Sequence, residues 1–338
     1  MIIGITFASM LVMFGFVAND SINGLINNGY KATYNYKYSY LFNNIQNKDL
    51  DGEKMNMLNF TTKDKDGEEI NIVVYGIERG SKLITLKDNK DNRISFNKII
   101  VTKPLADQLQ LNGTGKILLR SNIVNSQFSD KNEYEIDVDK VANSYVGYNV
   151  YMPLEKFNDM FGYEKDSYIQ LLTKEKIDIA ESDLLSCTTK HQLCNGLETL
   201  LQLIRMIIGI ITVIAFSLGL LVIYVITSLV IEENRNSISL LKILGYSNKK
   251  ICSLLLNTNI IMIIIGFLIS IPLIKMMCAN LFKSITSSMN LIIPINVNVL
   301  SYVISLCVVF ITYSVANHFS KKNIFSITMA ESLKNRSE

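Results

Sequence analysis

The 338-residue chain contains no tryptophan, two histidines, four prolines and five cysteines, and only 19% of its residues are charged. Two histidines leave a metalloenzyme short of ligands. Five cysteines with no CxxC pair give neither a zinc site nor a disulfide framework. Hydrophobic residues make up 49% of the chain, an ordinary share, whereas about a quarter charged is usual, so the shortfall of charge is local. Residues 19–200 hold 22 Lys and Arg against 26 Asp and Glu, a net of −4; the remainder holds 11 against 4, a net of +7. The sizeable polar stretch is therefore mildly acidic, which argues against a phosphate-backbone binding face and so against a nucleic-acid partner. Isoleucine, leucine, valine, tyrosine and phenylalanine recur throughout and exclude disorder.

The missing charge is concentrated in four runs. Met1–Ala18 carries none and reaches about 27 Å as a helix, close to a ~30 Å hydrocarbon core. No Lys or Arg precedes this run and no small-x-small site follows Val17, which predicts a first transmembrane helix rather than a signal peptide. Met206–Ile231, Ile251–Ile274 and Val297–Ala316 are three further spans. Arg235, Lys242, Lys249 and Lys250 follow the second span, and Lys321, Lys322, Lys334 and Arg336 follow the fourth; only Lys275 and Lys283 lie between the third and fourth. Cationic loops stay in the cytoplasm, so both termini are expected inside and the acidic segment outside. The spans hold no ionisable group in mid-membrane, which argues against an ion or solute pore.

The expected fold class is an α-helical membrane protein of four transmembrane helices, with an extracytoplasmic mixed α+β domain inserted between the first and second. Within that domain Asn71–Tyr75, Lys82–Leu86, Lys98–Thr102, Lys116–Leu119, Tyr134–Val138 and Tyr168–Leu172 are predicted strands, and Pro104–Gln110 and Pro153–Phe161 short helices. Asp20–Phe42 is expected to continue the first helix out of the membrane, and Asp178–Arg205 to form a stalk into the second. Three local features carry little. Gly113–Lys116 (GTGK) lacks the first glycine and the final Ser or Thr of a phosphate loop and is expected to be a turn. Cys187, His191 and Cys194 would share one face of a helix, but no fourth ligand accompanies them, and no metal is expected. The tyrosines at 30, 34, 36, 38 and 40 suit packing beside a membrane surface better than a ligand-stacking ladder.

Glu232–Lys250 reads EENRNSISLLKILGYSNKK, with Ile238, Leu240, Leu241, Ile243 and Leu244 too dense for an exposed loop. Asn236 or Ser237 can cap a short helix, Gly245 can end it in the left-handed conformation, and Ser247 can cap the next. Such a helix either lies in the lipid interface or docks a cytoplasmic partner.

Leu241-Lys242-Ile243-Leu244-Gly245-Tyr246, preceded by Glu232, Glu233 and Arg235, resembles the characteristic patch of the FtsX-like permease family, the membrane subunits of MacB-, LolCDE- and BceAB-type ABC transporters. Asn234 separates Glu233 from Arg235, and Ser237 stands where the family often has Glu. Gly15–Ile26 resembles the end of a first helix in the second repeat of long members, and Ile324–Lys334 the terminal Met-x-Glu-x-Leu-Lys. Lys98–Leu119 is similar to an external-domain segment, with Asn112–Gly115 in place of its Gly-Asp. The resemblance implies a half-length member or the C-terminal repeat of a longer one. It divides the chain into a first transmembrane helix at 1–18, an extracytoplasmic domain with helical stalks at 19–205, and a permease domain at 206–338.

The resemblance further implies a non-enzymatic permease subunit in the cell membrane. It would hold no cofactor itself, because ATP is used by a separate cytoplasmic ABC ATPase. Leu240, Leu241, Lys242, Leu244, Gly245 and Tyr246 would form the helix that couples to that ATPase. The partners implied are the ATPase, a second permease copy or an N-terminal permease half, and an extracytoplasmic peptide, lipid or protein. Export or removal of amphipathic peptides or lipids, as in antimicrobial peptide resistance, is the expected activity; the alternative is a regulator of a cell-wall hydrolase or sensor kinase.

Overall fold

Ile2–Gly24, apolar and uncharged over most of its length, forms helix α1, which passes directly into a π-helical segment, Leu25–Lys31. The computed structural model describes residues 2–121, 133–286 and 289–326. After the π segment the pattern changes from helical to alternating, and the chain enters strands β1 (Tyr38–Gln46), β2 (Glu53–Lys63) and β3 (Glu69–Ile77). There follow β4 (Leu86–Lys87), β5 (Arg93–Ile94), β6 (Ile100–Thr102), helix α2 (Lys103–Gln108), β7 (Gly115–Arg120), β8 (Glu133–Val138), β9 (Lys140–Ala142) and β10 (Asn149–Pro153). Helix α3 (Leu154–Phe161), β11 (Tyr168–Thr173) and β12 (Leu184–Thr189) complete this part. The chain ends in helices α4 (Lys190–Glu233), α5 (Arg235–Ile243), α6 (Asn248–Thr286) and α7 (Val299–Ser326).

Internal contacts divide the chain into a sheet unit, Ile22–Gln202 with Phe282–Pro294, and a helical unit, Met1–Ser21 with Leu203–Leu281 and Ile295–Glu338. In the sheet unit the strand order is β12-β1-β11-β2-β3-β10-β6-β9, with β7 joined to β2 and β8 to β7. The pairs β3–β10 and β6–β9 are parallel and the other pairs in this sheet antiparallel, so the sheet is mixed. Side chains alternate between the two faces of a strand. Ile72 and Val74 of β3 face a cluster with Leu105 of α2 and Phe157 and Phe161 of α3. Tyr75 and Ile77 belong to a second cluster with Tyr36, Ile84, Phe96 and Tyr151. A Cβ on Gly76 would lie 2.7 Å from Phe157, so the close seating of α3 requires glycine there.

The stretch joining α6 to α7 takes part in the sheet unit. Val146 and Leu291 form an antiparallel bridge, Gly147 N–H donates to Asn290 O at 2.8 Å, and Ile292 N–H donates to Tyr145 O at 2.9 Å.

Among the described residues four candidate spans are long and apolar enough to cross a membrane: Ile2–Lys31, Lys190–Glu233, Ile261–Thr286 and Val299–Ala316. Half of the most apolar stretch of the first is buried, against 22% for α4, so α1 is the inner helix and α4 turns large apolar side chains outward. A Cβ on Gly15 would collide with Thr212 Cγ2, and one on Gly219 would lie 3.3 Å from Ala8 O. Small residues thus let α1 and α4 approach closely, as helices in lipid do.

Several sequence-based expectations need correction. Asp20–Phe42 is not one helix, because the helical turns stop at Lys31 and β1 begins at Tyr38. Asp178–Arg205 is a helix only from Lys190; before it lie a 3-10 turn, Glu181–Asp183, and β12, whose pairing with β1 satisfies backbone groups that a stalk helix would otherwise bond internally. Lys82–Leu86 contributes only the Tyr34–Ile84 bridge and the first residue of β4. The predicted strands at 71–75, 116–119, 134–138 and 168–172 fall within β3, β7, β8 and β11, that at 98–102 ends in β6, and β1, β2, β5, β9, β10 and β12 lie outside the predicted set. Tyr34 and Tyr36 are not on a membrane-side helix but belong to the packing of the sheet unit, and Tyr40 is buried with Phe42 and Tyr168. The resemblance noted in Ile324–Lys334 lies outside the described residues from position 327 on, as do Lys334 and Arg336.

Candidate functional site

Helix α4 is interrupted at Asn234, whose backbone N–H and side-chain amide both donate to Val230 O, at 3.2 and 2.8 Å. Asn234, not Asn236 or Ser237, is therefore the residue from which α5 starts, and it makes no side-chain cap to the new helix. Arg235 and Glu232 form an ion pair of 2.8 Å across this break. The far end of α5 follows the expected plan. Gly245 has φ +82°, its N–H donates to Lys242 O at 3.1 Å, and the Tyr246 N–H donates to Leu241 O at 3.1 Å. These two bonds define a Schellman ending, in which a left-handed residue lets the last carbonyls be satisfied. Ser247 stands immediately before α6, and Lys250 Nζ lies 5.6 Å over the Tyr246 ring.

The two faces of α5 differ. Ile238, Ser239 and Lys242 are buried, and Leu241 is half-buried. Leu240, Ile243, Leu244 and Tyr246 are exposed, Leu244 at 65%. Of the six residues expected to couple, Leu240, Leu244 and Tyr246 thus share the open side with Gly245, whereas Lys242 turns inward. Ile243 is not among the six, although its position three after Leu240 and one before Leu244 marks the same face. The result is a two-turn helix with an apolar outer face, closed by a rigid turn.

Cys187, His191 and Cys194 do not share a helix face, because Cys187 is on β12 and α4 begins only at Lys190. Both cysteines are free, and His191 Nδ1 lies 3.1 Å from Asn195 Nδ2. Among the described residues no group of three His, Cys, Asp or Glu side chains could hold a metal ion. Gly113–Lys116 is the turn and first two residues leading into β7, with Gly113 at φ +98°.

The four apolar helices among the described residues, with a mixed sheet unit between the first and second along the chain, fit a multi-pass membrane protein. Residues 209–328, a segment that includes α5, match the FtsX-like permease C-terminal family. No curated protein matches the chain. The crystal structure of the periplasmic region of MacB from Actinobacillus actinomycetemcomitans is similar to the chain with a TM-score of 0.29 at 10% identity, covering 51% of this chain and 97% of that one.

Proposed function

We propose that the chain is the membrane permease subunit of an ABC transporter, in which a separate cytoplasmic ATPase docks on α5 and moves the sheet unit through α1 and α4. FtsX-like permeases generally work with such an ATPase and are generally not enzymes themselves. The observation that carries the proposal is the exposed apolar face of Leu240, Ile243, Leu244 and Tyr246, inside the segment that matches the family. Such a face is a helix-in-groove anchor, and the surrounding Arg235, Lys249 and Lys250 favour the cytoplasmic side for it. That orientation carries residues 19–205 to the outside and both termini to the inside.

Continuity of the backbone supports the mechanical part. Helix α4 has 44 residues without a break, about 66 Å at 1.5 Å per residue and twice a ~30 Å hydrocarbon core. Residues 190–202 of this helix belong to the sheet unit, so a push at its cytoplasmic end arrives there directly. The pairing of Asn290–Ile292 with Tyr145–Gly147 gives a second attachment, made by the α6–α7 connection. The apolar runs Met1–Ala18, Met206–Ile231 and Val297–Ala316 hold no ionisable group, and the third span carries Lys275 and Lys283 only in its second half, which suits export or removal of amphipathic peptides or lipids at the outer surface, with no aqueous path through the bilayer.

The test is co-purification of the full chain with its cognate ATPase, comparing wild type with Leu240→Asp plus Leu244→Asp. Both side chains are exposed, so the fold tolerates the change, whereas loss of two apolar anchors weakens the complex by more than about tenfold and abolishes ATPase stimulation. Survival of the complex and of the stimulation overturns the coupling role. Cysteine labelling at Ser237 tests the orientation: reaction is expected from the cytoplasmic side alone, and labelling from outside sinks the topology.

A further inference from the structure

The sheet face opposite α2 and α3 carries a half-open cleft of about 270 Å³. Register builds its floor. Ser186, Leu41, Gln170 and Met55 are successive partners across β12, β1, β11 and β2, and Met57, Tyr75 and Tyr151 across β2, β3 and β10. Tyr30, on the π-helical segment, and Leu193, in the first turn of α4, contribute from the two helices that enter the sheet unit. The tyrosines are arranged ring against ring: Tyr30 and Tyr34 at 5.0 Å edge-on, Tyr34 and Tyr36 at 5.9 Å edge-on, and Tyr75 and Tyr151 stacked at 5.3 Å.

Three features define what the cleft accepts. Among the described residues no charged side chain lines it, and burial raises the hydroxyls of Tyr34, Tyr36 and Tyr75 above the ordinary phenol range, so the walls stay neutral. Its volume is at the lower limit of small-molecule sites, enough for one ring and too little for a peptide or lipid. Gln170 spends its amide N–H on Ser39 Oγ at 2.5 Å, and its Oε1 is buried with no partner among the described residues. A buried acceptor left without a donor is destabilising, and a ligand that supplies the donor recovers that loss. A cation would shed its water with no carboxylate among the lining residues to replace it.

We propose that this cleft binds a neutral aromatic ring bearing an N–H or O–H donor, such as an indole or a phenol, which stacks on the tyrosines and donates to Gln170 Oε1. All of its lining lies within the sheet unit. Because the sequence has no tryptophan, an indole probe is read against a silent background. The full chain reconstituted in lipid vesicles is titrated with N-acetyl-tryptophanamide, following indole emission and anisotropy. A saturable blue shift is expected, with the ring-N-methylated analogue bound about tenfold more weakly, the size of one hydrogen bond. Gln170→Met, which keeps the volume, removes that preference. Ser186→Phe, at the exposed outer edge of that floor on β12, abolishes binding. The proposal is overturned by equal binding of the methylated analogue, by an unchanged signal in Ser186→Phe, which would be partition into lipid, or by tetramethylammonium displacing the probe at lower concentration than free indole does.

Discussion

In the sheet unit the buried amides of Asn56 and Asn158 are satisfied across the fold, whereas in the helical unit the buried hydroxyl of Thr227 bonds the carbonyl four residues back in its own helix. Asn56 Nδ2 donates to Asn158 Oδ1 at 2.7 Å and to Ser167 O at 2.9 Å, and its Oδ1 accepts from Ile169 N–H at 2.7 Å. Asn158 Nδ2 lies within 3.0 to 3.1 Å of the carbonyls of Glu164, Lys165 and Ser167. Thr227 donates to Ile223 O at 2.8 Å, and Thr212 to Ile208 O at 2.7 Å. The apolar residues reverse in the same way. Large exposed ones crowd α4, from Leu203 through Leu229, while Phe60, Ile72, Val74 and Phe157 of the sheet unit are buried. One unit solves its polar problem by tertiary contacts in water, and the other by local contacts that need no water.

The largest effect expected from this contrast is in the sheet core. Phe157→Ala removes the ring that covers Gly76 and packs 4.8 Å from Phe161, and about 3–5 kcal/mol of stability should go with it, read by denaturant unfolding of the full chain in detergent. Asn158→Ala follows at about 1–3 kcal/mol, because the Asn56 amide and three carbonyls lose a partner at once. Thr227→Val, nearly the same shape, should shift the same transition by less than about 1 kcal/mol, since the Ile223 carbonyl remains within the helix ladder. A Thr227→Val loss equal to that of Asn158→Ala would erase the distinction between the units.

The same contrast decides what the sequence reveals. Spans are legible because a membrane demands a continuous apolar run, and the end of α5 is legible because Gly245 and Tyr246 make a local turn. Helix α1 hides β1: the apolar run invites extrapolation past Asp20, although Tyr36, Tyr38, Tyr40 and Phe42 already alternate with the period of a strand. The outward face of α5 is nearly legible from spacing, save that Ile243 joins it and Lys242 points inward. The aromatic cleft is legible only in part: Tyr30, Tyr34 and Tyr36 of its lining belong to the tyrosine run that the sequence shows, but the run alone favours membrane-side packing over a ligand site. Its floor depends on Tyr75 lying in register with Tyr151, and Leu41 with Gln170, pairings between residues far apart in the chain.

Acid provides the smallest test and separates the units by charge. The apolar runs Met206–Ile231, Ile251–Ile274 and Val297–Ala316 carry no carboxylate, so acid sensitivity of folding should originate mainly in the sheet unit. Asp88 is one source. The Lys90 and Asn92 N–H groups donate to its Oδ1 at 2.8 and 3.0 Å in the turn between β4 and β5, and the Lys90 bond most of all holds its carboxyl below the usual range. A carboxyl depressed in the folded state contributes stability that is fully present above its unfolded value of about 4 and is lost as pH falls through the folded one. Asp88→Asn should therefore lower the thermal midpoint slightly at neutral pH and flatten its decline below about pH 4. An acid limb unchanged by the substitution would assign the sensitivity to other carboxylates of the chain.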